Sequence, residues 1–207
     1  MTNLHTHPTI SGRARLFRLT VTALLSAVGF ILMFIEFPLL PVPAFSYLKM
    51  DPSDLPAILG GVLFGPAYGV LIELIKNLLD LVFKGLGSQM GFGNFQNFLV
   101  GSAYVLPLSL LLRRFARSDG YSAKGLALGC GVGTVCMLAV GFLSNLVVAP
   151  LYFRFFVGEN LTMGAALTAA GAASVFNVVK CAILSAVTIV AARFALPQLK
   201  KTVDKVR

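Results

Sequence analysis

The sequence predicts an all-α integral membrane protein, a bundle of six transmembrane helices with both termini in the cytoplasm. Hydrophobic residues make up 57% of the 207 positions and charged residues only 12%, and the mean hydropathy is +0.85. A soluble domain of this size has a more polar composition. Apolar runs of about 20 residues, the length that crosses the hydrocarbon core, also recur along the chain. Lipid is therefore the predicted solvent. The net charge of +9 does not indicate a nucleic-acid partner, because the basic residues lie beside the apolar runs.

The first apolar run follows a polar N-terminal tail, residues 1–15. Its uncharged part, Leu19 to Ile35, is too long for the apolar region of a signal peptide, and no A-x-A-like cleavage site follows it. We therefore predict a first transmembrane helix from about Phe17 to Phe37, ended by Pro38.

The remaining runs predict five more helices. A loop from Leu39 to Asp54 precedes an uncharged stretch, Leu55 to Ile72, that glycines and a proline interrupt. We divide this stretch into a short second helix and the start of a third, which ends near Phe83. The other predicted helices are Asn94 to Leu112, Gly125 to Ala149 ended by Pro150, and a segment within Ala165 to Leu196 ended by Pro197. Residues 16–197 thus form one transmembrane domain, and 198–207 a basic cytoplasmic tail.

The basic residues set the predicted orientation, because loops retained in the cytoplasm carry an excess of Lys and Arg. The opposite side holds only Lys49, Lys84 and Arg154. An even number of helices with both ends inside fits this asymmetry. Twelve of the seventeen basic residues fall on the predicted cytoplasmic side: Arg13, Arg15, Arg18, Arg113, Arg114, Arg117, Lys124, Arg193, Lys200, Lys201, Lys205 and Arg207.

The third helix carries polar residues that are costly within a membrane. Glu73, Lys76, Asn77 and Asp80 are spaced i, i+3, i+4 and i+7, which places them on one face. We expect Glu73 and Asp80 both to reach Lys76. The three charges sum to minus one, so another cation or a protonated carboxyl group would complete the set. An ion network that fixes helix packing and a direct ligand role both remain open.

A second polar group lies on the fifth and sixth helices. Asn177 and Lys180 share a face, and no carboxylate lies within a helical turn of Lys180. This ammonium group needs a partner from another helix or the oxygens of a ligand. Asn145 lies late in the fifth helix, so the three side chains are expected to converge in the outer half of the bundle. Two amides and one cation suit a planar heterocycle with carbonyls and ring nitrogens.

The first helix has small residues at Ala23 and Ala27, with Thr22 and Ser26 beside them. Small residues at i and i+4 allow another helix to approach closely in lipid. The spacing alone fits either packing within the bundle or contact with a separate subunit.

Several ordered motifs resemble one family, the substrate-binding S components of energy-coupling factor (ECF) vitamin transporters, and within it the riboflavin-specific group. The resemblance covers most of the chain. Its most specific part is the run Leu48-Lys49-Met50-Asp51-Pro52-Ser53-Asp54-Leu55-Pro56-Ala57, followed by Gly60 to Pro66, then Glu73 to Leu79, and Gly93-Asn94-Phe95 with Gly101.

The resemblance implies roles for individual residues. Asn145, Asn177 and Lys180 match the positions that hold the flavin ring in riboflavin-binding members. Ala23 and Ala27 match the A-x-x-x-A strip that faces the transmembrane coupling subunit. The remaining expected substrate contacts are Leu48, Lys49, Met50 and Asp51 in the loop that caps the ligand, with Gly93 and Asn97 at the start of the fourth helix.

The implied function is capture of riboflavin at the outer face of a prokaryotic cell membrane, followed by toppling in the membrane to release it inside. The expected partners are riboflavin, the lipid bilayer, a transmembrane coupling subunit and two ATPase subunits. ATP is used by the partners, because the sequence has no G-x-x-x-x-G-K-[ST] loop. We expect no resident cofactor, no metal site and no enzymatic activity. An S component for another vitamin is the nearest alternative, and a proton-coupled carrier is a more distant one.

Overall fold

The computed structural model describes residues 12–38, 49–85, 91–117 and 120–205, and these segments are almost entirely helical. Two short antiparallel strand pairs, β1 with β2 and β3 with β4, lie between helices. The elements in chain order are α1 (Gly12–Leu32), β1 (Phe37–Pro38), β2 (Lys49–Met50), α2 (Asp54–Phe64), α3 (Pro66–Lys84), α4 (Phe92–Arg114), β3 (Ala116–Arg117), β4 (Gly120–Tyr121), α5 (Ala123–Tyr152), a π-helical turn (Phe153–Val157), α6 (Met163–Phe194) and α7 (Leu196–Lys205).

Each of the six helical segments predicted from the sequence is present, as α1 to α6. Within the described residues, four helices are long and apolar enough to cross a membrane, namely α1, α4, α5 with the following turn, and α6. The second segment, α2, has only 11 residues, and α3 has 19 residues but carries buried charges on one face. The all-helical character is therefore confirmed, whereas the number of membrane crossings remains a prediction.

Two predicted helix ends are wrong. The first helix ends at Leu32 rather than Phe37, and Phe37 and Pro38 pair instead with Met50 and Lys49. The fifth helix continues through Pro150 to Tyr152 and into the π-helical turn. A proline removes only one backbone N–H donor. A helix that packs against neighbouring helices tolerates this loss near its end.

The C-terminal segment 198–207, predicted as a tail, is helical as far as Lys205. The sixth helix ends at Phe194, and α7 begins two residues later with Pro197 in its first turn. Proline is favoured there because the first-turn N–H groups have no partner within the helix. Buried Leu196 and Val203 attach α7 to the bundle, where it contacts α2 and β4.

Close packing of α4 and α5 sets the geometry of the site. Gly125, Gly129 and Gly133 recur every four residues along the buried face of α5. A Cβ atom at Gly129 would lie 3.0 Å from Leu108, and one at Gly133 would lie 3.1 Å from Tyr104. Small residues at this spacing allow two helices to approach closely. The same buried face continues through Met137 and Gly141 to Asn145.

Candidate functional site

Asn145 lies at the end of this glycine-rich face and is 1% exposed. Its Nδ2 atom donates a hydrogen bond to the carbonyl oxygen of Gly141 at 2.8 Å, one turn earlier on α5. Its Oδ1 atom is buried and has no hydrogen-bond partner within the described residues. A buried amide oxygen without a partner is costly, so this atom is available to a ligand donor.

Asn177, on α6, lies against the same glycine and is 3% exposed. A Cβ atom at Gly141 would collide with its Nδ2 atom. No hydrogen bond to its amide is formed within residues 12–38, 49–85, 91–117 and 120–205. The two asparagines therefore both lie against Gly141, and both have unused hydrogen-bonding atoms.

Lys180 lies one turn along α6 and is 2% exposed. Its Nζ atom is 2.8 Å from Asp54 Oδ2 and donates a hydrogen bond to Asn97 Oδ1 at 3.0 Å. The partner from another helix, one of the two predicted possibilities, is thus present. An ammonium group has three N–H donors, and these contacts account for two.

Asp54 is the functional residue that the sequence analysis missed, because it was assigned to the end of a loop. It is instead the first residue of α2 and is fully buried. The available signal was an acidic residue directly before an apolar run, in a chain with an unpaired lysine on another helix.

Four ionisable side chains, Asp54, Glu73, Lys76 and Lys180, form what we call the buried quartet. Lys76 Nζ lies 2.5 Å from Asp54 Oδ1 and 2.8 Å from Glu73 Oε2, and it donates a hydrogen bond to Ser53 Oγ at 2.8 Å. Two carboxylates and two ammonium groups give a formal charge of zero. Lys180 therefore balances the charge that Asp54 of α2 adds to Glu73 and Lys76.

Glycine at position 101 allows α4 to pack against the quartet. A Cβ atom there would lie 2.6 Å from Glu73 Oε2. This close approach leaves no room for a side chain, which explains the glycine at position 101 of the sequence motif.

The predicted pairing of Asp80 with Lys76 is wrong. Asp80 Oδ1 lies 2.7 Å from Lys84 Nζ, and Asp80 Oδ2 accepts a hydrogen bond from Asn94 Nδ2 at 2.7 Å. Asn77 Nδ2 donates to the Glu73 carbonyl oxygen at 2.8 Å. The four residues do share one face of α3. Their charges nevertheless belong to two separate groups, because Glu73 and Lys76 join Asp54 whereas Asp80 pairs with Lys84.

The predicted capping segment is only partly described. Met50 and Asp51 are buried, and Asp51 Oδ1 accepts a hydrogen bond from the Ser53 backbone N–H at 2.8 Å, which fixes the turn into α2. Lys49 lies in β2, and Leu48 lies outside the described residues.

The start of α4 also reaches the site. Gly93 is half-buried in its first turn, and Asn97 contacts Lys180. Gln96, which sequence reasoning missed, donates from Nε2 to Ser144 Oγ at 2.7 Å, beside Asn145. Its Oε1 atom is buried without a hydrogen-bond partner in the described part of the chain.

The alanine strip of α1 faces outward. Ala23 and Ala27 are exposed, whereas Thr22 and Ser26 are buried and donate hydrogen bonds to the carbonyl oxygens of Arg18 and Thr22. Packing of the two alanines inside this bundle, one of the two open interpretations, is therefore wrong. Their smooth surface faces lipid or another subunit.

No group of three or more His, Cys, Asp or Glu residues is placed to hold a metal ion among the residues that the structure describes. The site consists of amides and ammonium groups, which suit an organic ligand with carbonyl and ring-nitrogen atoms.

Comparison with known proteins identifies relatives along most of the chain. The family model for the substrate-specific component of ECF transporters matches residues 17–192. The riboflavin transporter FmnP of Bacillus subtilis (strain 168) is 33% identical over 172 residues, which cover 82% of this chain and 87% of that protein. The riboflavin transporter RibU of Staphylococcus aureus (strain TCH60) is 31% identical over 185 residues, covering 89% and 93%.

A solved structure has the same architecture. It is described as "Structure and mechanism of the S component of a bacterial ECF transporter" and superimposes with a TM-score of 0.71 at 31% sequence identity. The match covers 90% of this chain and 99% of the solved chain. The similarity therefore extends over most of the chain.

Proposed function

The chain belongs to the family of ECF transporter substrate-specific components, and from this membership we propose that it is the riboflavin-binding component of an ATP-driven importer. The family consists of transport proteins rather than enzymes, and its members span the prokaryotic cell membrane several times. Two relatives named riboflavin transporters, at 33% and 31% identity, support this choice of substrate over other vitamins.

The observation that carries the proposal is the meeting of Asn145 and Asn177 at Gly141, with Lys180 one turn away. The two buried amides have unused acceptor and donor atoms within the described residues. The flavin ring presents carbonyl oxygens and ring nitrogens along one edge, and paired amides complement such an edge. The third N–H of Lys180 supplies a further donor to a ring carbonyl.

Asp54 and Asn97 act as positioning residues in this proposal. Asp54 on α2 lies 2.8 Å from the Lys180 Nζ atom, and Asn97 on α4 accepts a hydrogen bond from it at 3.0 Å. A donor that is already oriented loses less conformational entropy when the ligand binds. Met50 and Asp51 cover the ligand from the outer face, and Gly93 leaves room for it in the first turn of α4. The same capping role for Leu48 and Lys49 stays a prediction.

Residues 16–197 act as one substrate-binding domain with six membrane crossings and cytoplasmic termini. In this arrangement α2 and α3 pack their charged faces inside the bundle, so the quartet is shielded from lipid. The exposed alanines Ala23 and Ala27 contact a transmembrane coupling subunit, and two ATPase subunits drive release of the vitamin inside.

The test is a titration of riboflavin with the detergent-purified protein, followed by quenching of flavin fluorescence. We expect saturable quenching with one riboflavin per chain, and no competition from thiamine, biotin, folate or pantothenate. A correctly folded preparation that does not quench, or that prefers another of these vitamins, would contradict the substrate assignment while leaving the family unchanged.

A further inference from the structure

A cavity of about 480 Å³ opens at the end of the bundle that carries most of the basic residues. It lies where the ends of α2 and α4, the β3–β4 pair and α7 come together. Its volume is within the usual range for small-molecule sites. The lining residues that bear on its chemistry are Val62, Leu110, Arg114, Tyr121, Lys200 and Val203.

Three cations line this cavity, and besides Arg113 they are Arg114 and Lys200, which come from different elements. Arg114 ends α4 and is exposed, and Lys200 lies on α7 and is half-buried. Among the side chains that the structure describes, neither cation forms an ion pair with a carboxylate. Two cations that line one cavity suit an anionic ligand.

The placement of Lys200 is a consequence of helix packing. Leu196 and Val203 are buried, at 0% and 8% exposure, and fix one face of α7 against the bundle. Lys200 follows Leu196 by four residues and therefore lies on that same face. The helix thus turns a lysine toward the cavity, while Lys201 is exposed.

Arg113 holds the cavity wall in place. Its Nη1 atom donates hydrogen bonds to the carbonyl oxygens of Val62 and Leu63, both at 3.0 Å. These carbonyls belong to the last turn of α2, where they lack partners within the helix. The wall is therefore a fixed structure rather than a gap between loose helix ends.

The rest of the surroundings favour an amphiphilic anion. Val62, Leu110 and Val203 add apolar surface to the lining of the cavity, which we call its apolar wall. The segments 113–124 and 193–207 hold nine Lys and Arg against two Asp. The cavity lies beside the ends of α4 and α6, two apolar helices long enough to span a membrane, and so at the level of lipid head groups.

We propose that this cavity binds the phosphate group of an anionic phospholipid, with Arg114 and Lys200 as its charged ligands and the apolar wall against the glycerol and first acyl carbons. Arginine and lysine both bind phosphate, and basic pockets between helices at a membrane surface favour anionic head groups. A soluble phosphate ester has the same charged group but no acyl carbons to contact the apolar wall.

Native mass spectrometry of the detergent-purified full chain with added phosphatidylglycerol tests the proposal. We expect the Arg114→Gln/Lys200→Gln variant to bind this lipid about tenfold more weakly than the unmodified protein. The matched control, Arg193→Gln/Lys201→Gln, removes the same charge from the same end of the bundle but does not alter the lining, and should bind within about twofold. Circular dichroism melting verifies that both variants fold.

Two further probes distinguish the source of the phosphate group. Phosphatidylcholine, which has no net charge, should bind weakly to all three proteins. Glycerol 3-phosphate or inorganic phosphate that displaces phosphatidylglycerol at equal concentration would replace lipid by a soluble ester as the occupant. Equal lipid binding by the lining and control variants would overturn the site itself.

Discussion

The Asp54 carboxylate on α2 lies 2.8 Å from the Lys180 ammonium group on α6, and this contact joins the substrate site to the buried quartet. The other oxygen of Asp54 contacts Lys76 on α3. One carboxylate therefore holds two ammonium groups from two helices. Burying a charge is tolerable only while its partner remains, so the stability of the bundle depends on Asp54.

Replacing Asp54 with asparagine should lower the free energy of unfolding by about 3 kcal/mol or more, because Lys76 and Lys180 both lose a carboxylate partner and only Lys76 keeps Glu73. Thermal unfolding in a fixed detergent measures the change. Glu36→Gln is the control, since Glu36 lies 3.9 Å from Lys84 in a partly exposed pair, and should cost at most about 1 kcal/mol. Equal losses in the two variants would show that the quartet contributes no more than a surface pair.

Replacing Lys180 with methionine should weaken riboflavin binding about tenfold or more, because a charged hydrogen bond to the ring is lost. The same change leaves the quartet with a net negative charge and should also destabilise the fold. Adding Asp54→Asn to Lys180→Met restores a formal charge of zero among the quartet positions.

The double variant separates the two effects of Lys180. We expect it to unfold at a higher temperature than Lys180→Met alone, while its fluorescence-quenching affinity stays low. Recovery of both properties together would mean that Lys180 affects binding only through stability. Lys84→Met serves as the control cation, because Lys84 pairs with Asp80 away from the two asparagines.

Replacing Asn177 with alanine should reduce riboflavin affinity about tenfold with little loss of stability. Its amide has no partner among the described residues, so the empty protein loses no internal hydrogen bond. Asn94→Ala is the opposite case, since Asn94 donates to Asp80 at 2.7 Å, and should affect melting more than affinity. Riboflavin titration and thermal melting of both variants test whether Asn177→Ala mainly lowers affinity and Asn94→Ala mainly lowers stability.

The sequence predicted the six helical segments because they depend on local patterns. Apolar runs can be read directly, although Pro150 lies inside α5 and does not end it. Asn177 and Lys180 share a face through helical periodicity alone. The partner of Lys180 was not predictable in this way, since Asp54 and Lys180 are distant in the chain and meet only through helix packing. The incorrect pairing of Asp80 with Lys76 has a different cause, because Lys76 and Lys84 both lie four residues from Asp80 on α3 and periodicity alone does not choose between them.

Replacing Ala23 or Ala27 with tryptophan should preserve riboflavin binding but abolish ATP-driven uptake. Both alanines are exposed on α1, and a large side chain there prevents close approach of another helix. Leu24→Trp is the control, because Leu24 is 61% exposed on the same helix but does not belong to the small-residue strip. Uptake in cells and quenching by purified protein measure the two activities, and uptake that survives in both alanine variants would contradict the assigned interface.

Gly141→Ala tests whether the two asparagines form one site. A methyl group at this position would collide with Nδ2 of Asn177 and lie 3.3 Å from Val100 Cγ1, so the Asn177 amide must move. We expect riboflavin affinity to fall at least about tenfold, as for loss of a hydrogen bond to a buried ligand. Gly131→Ala is the control on the same helix, since no atom lies within 4 Å of the added Cβ and the substitution should leave binding unchanged. If Gly141→Ala binds riboflavin as tightly as Gly131→Ala does, the distance between Asn145 and Asn177 does not control recognition, and the ligand must be held by Lys180 and the capping segment instead.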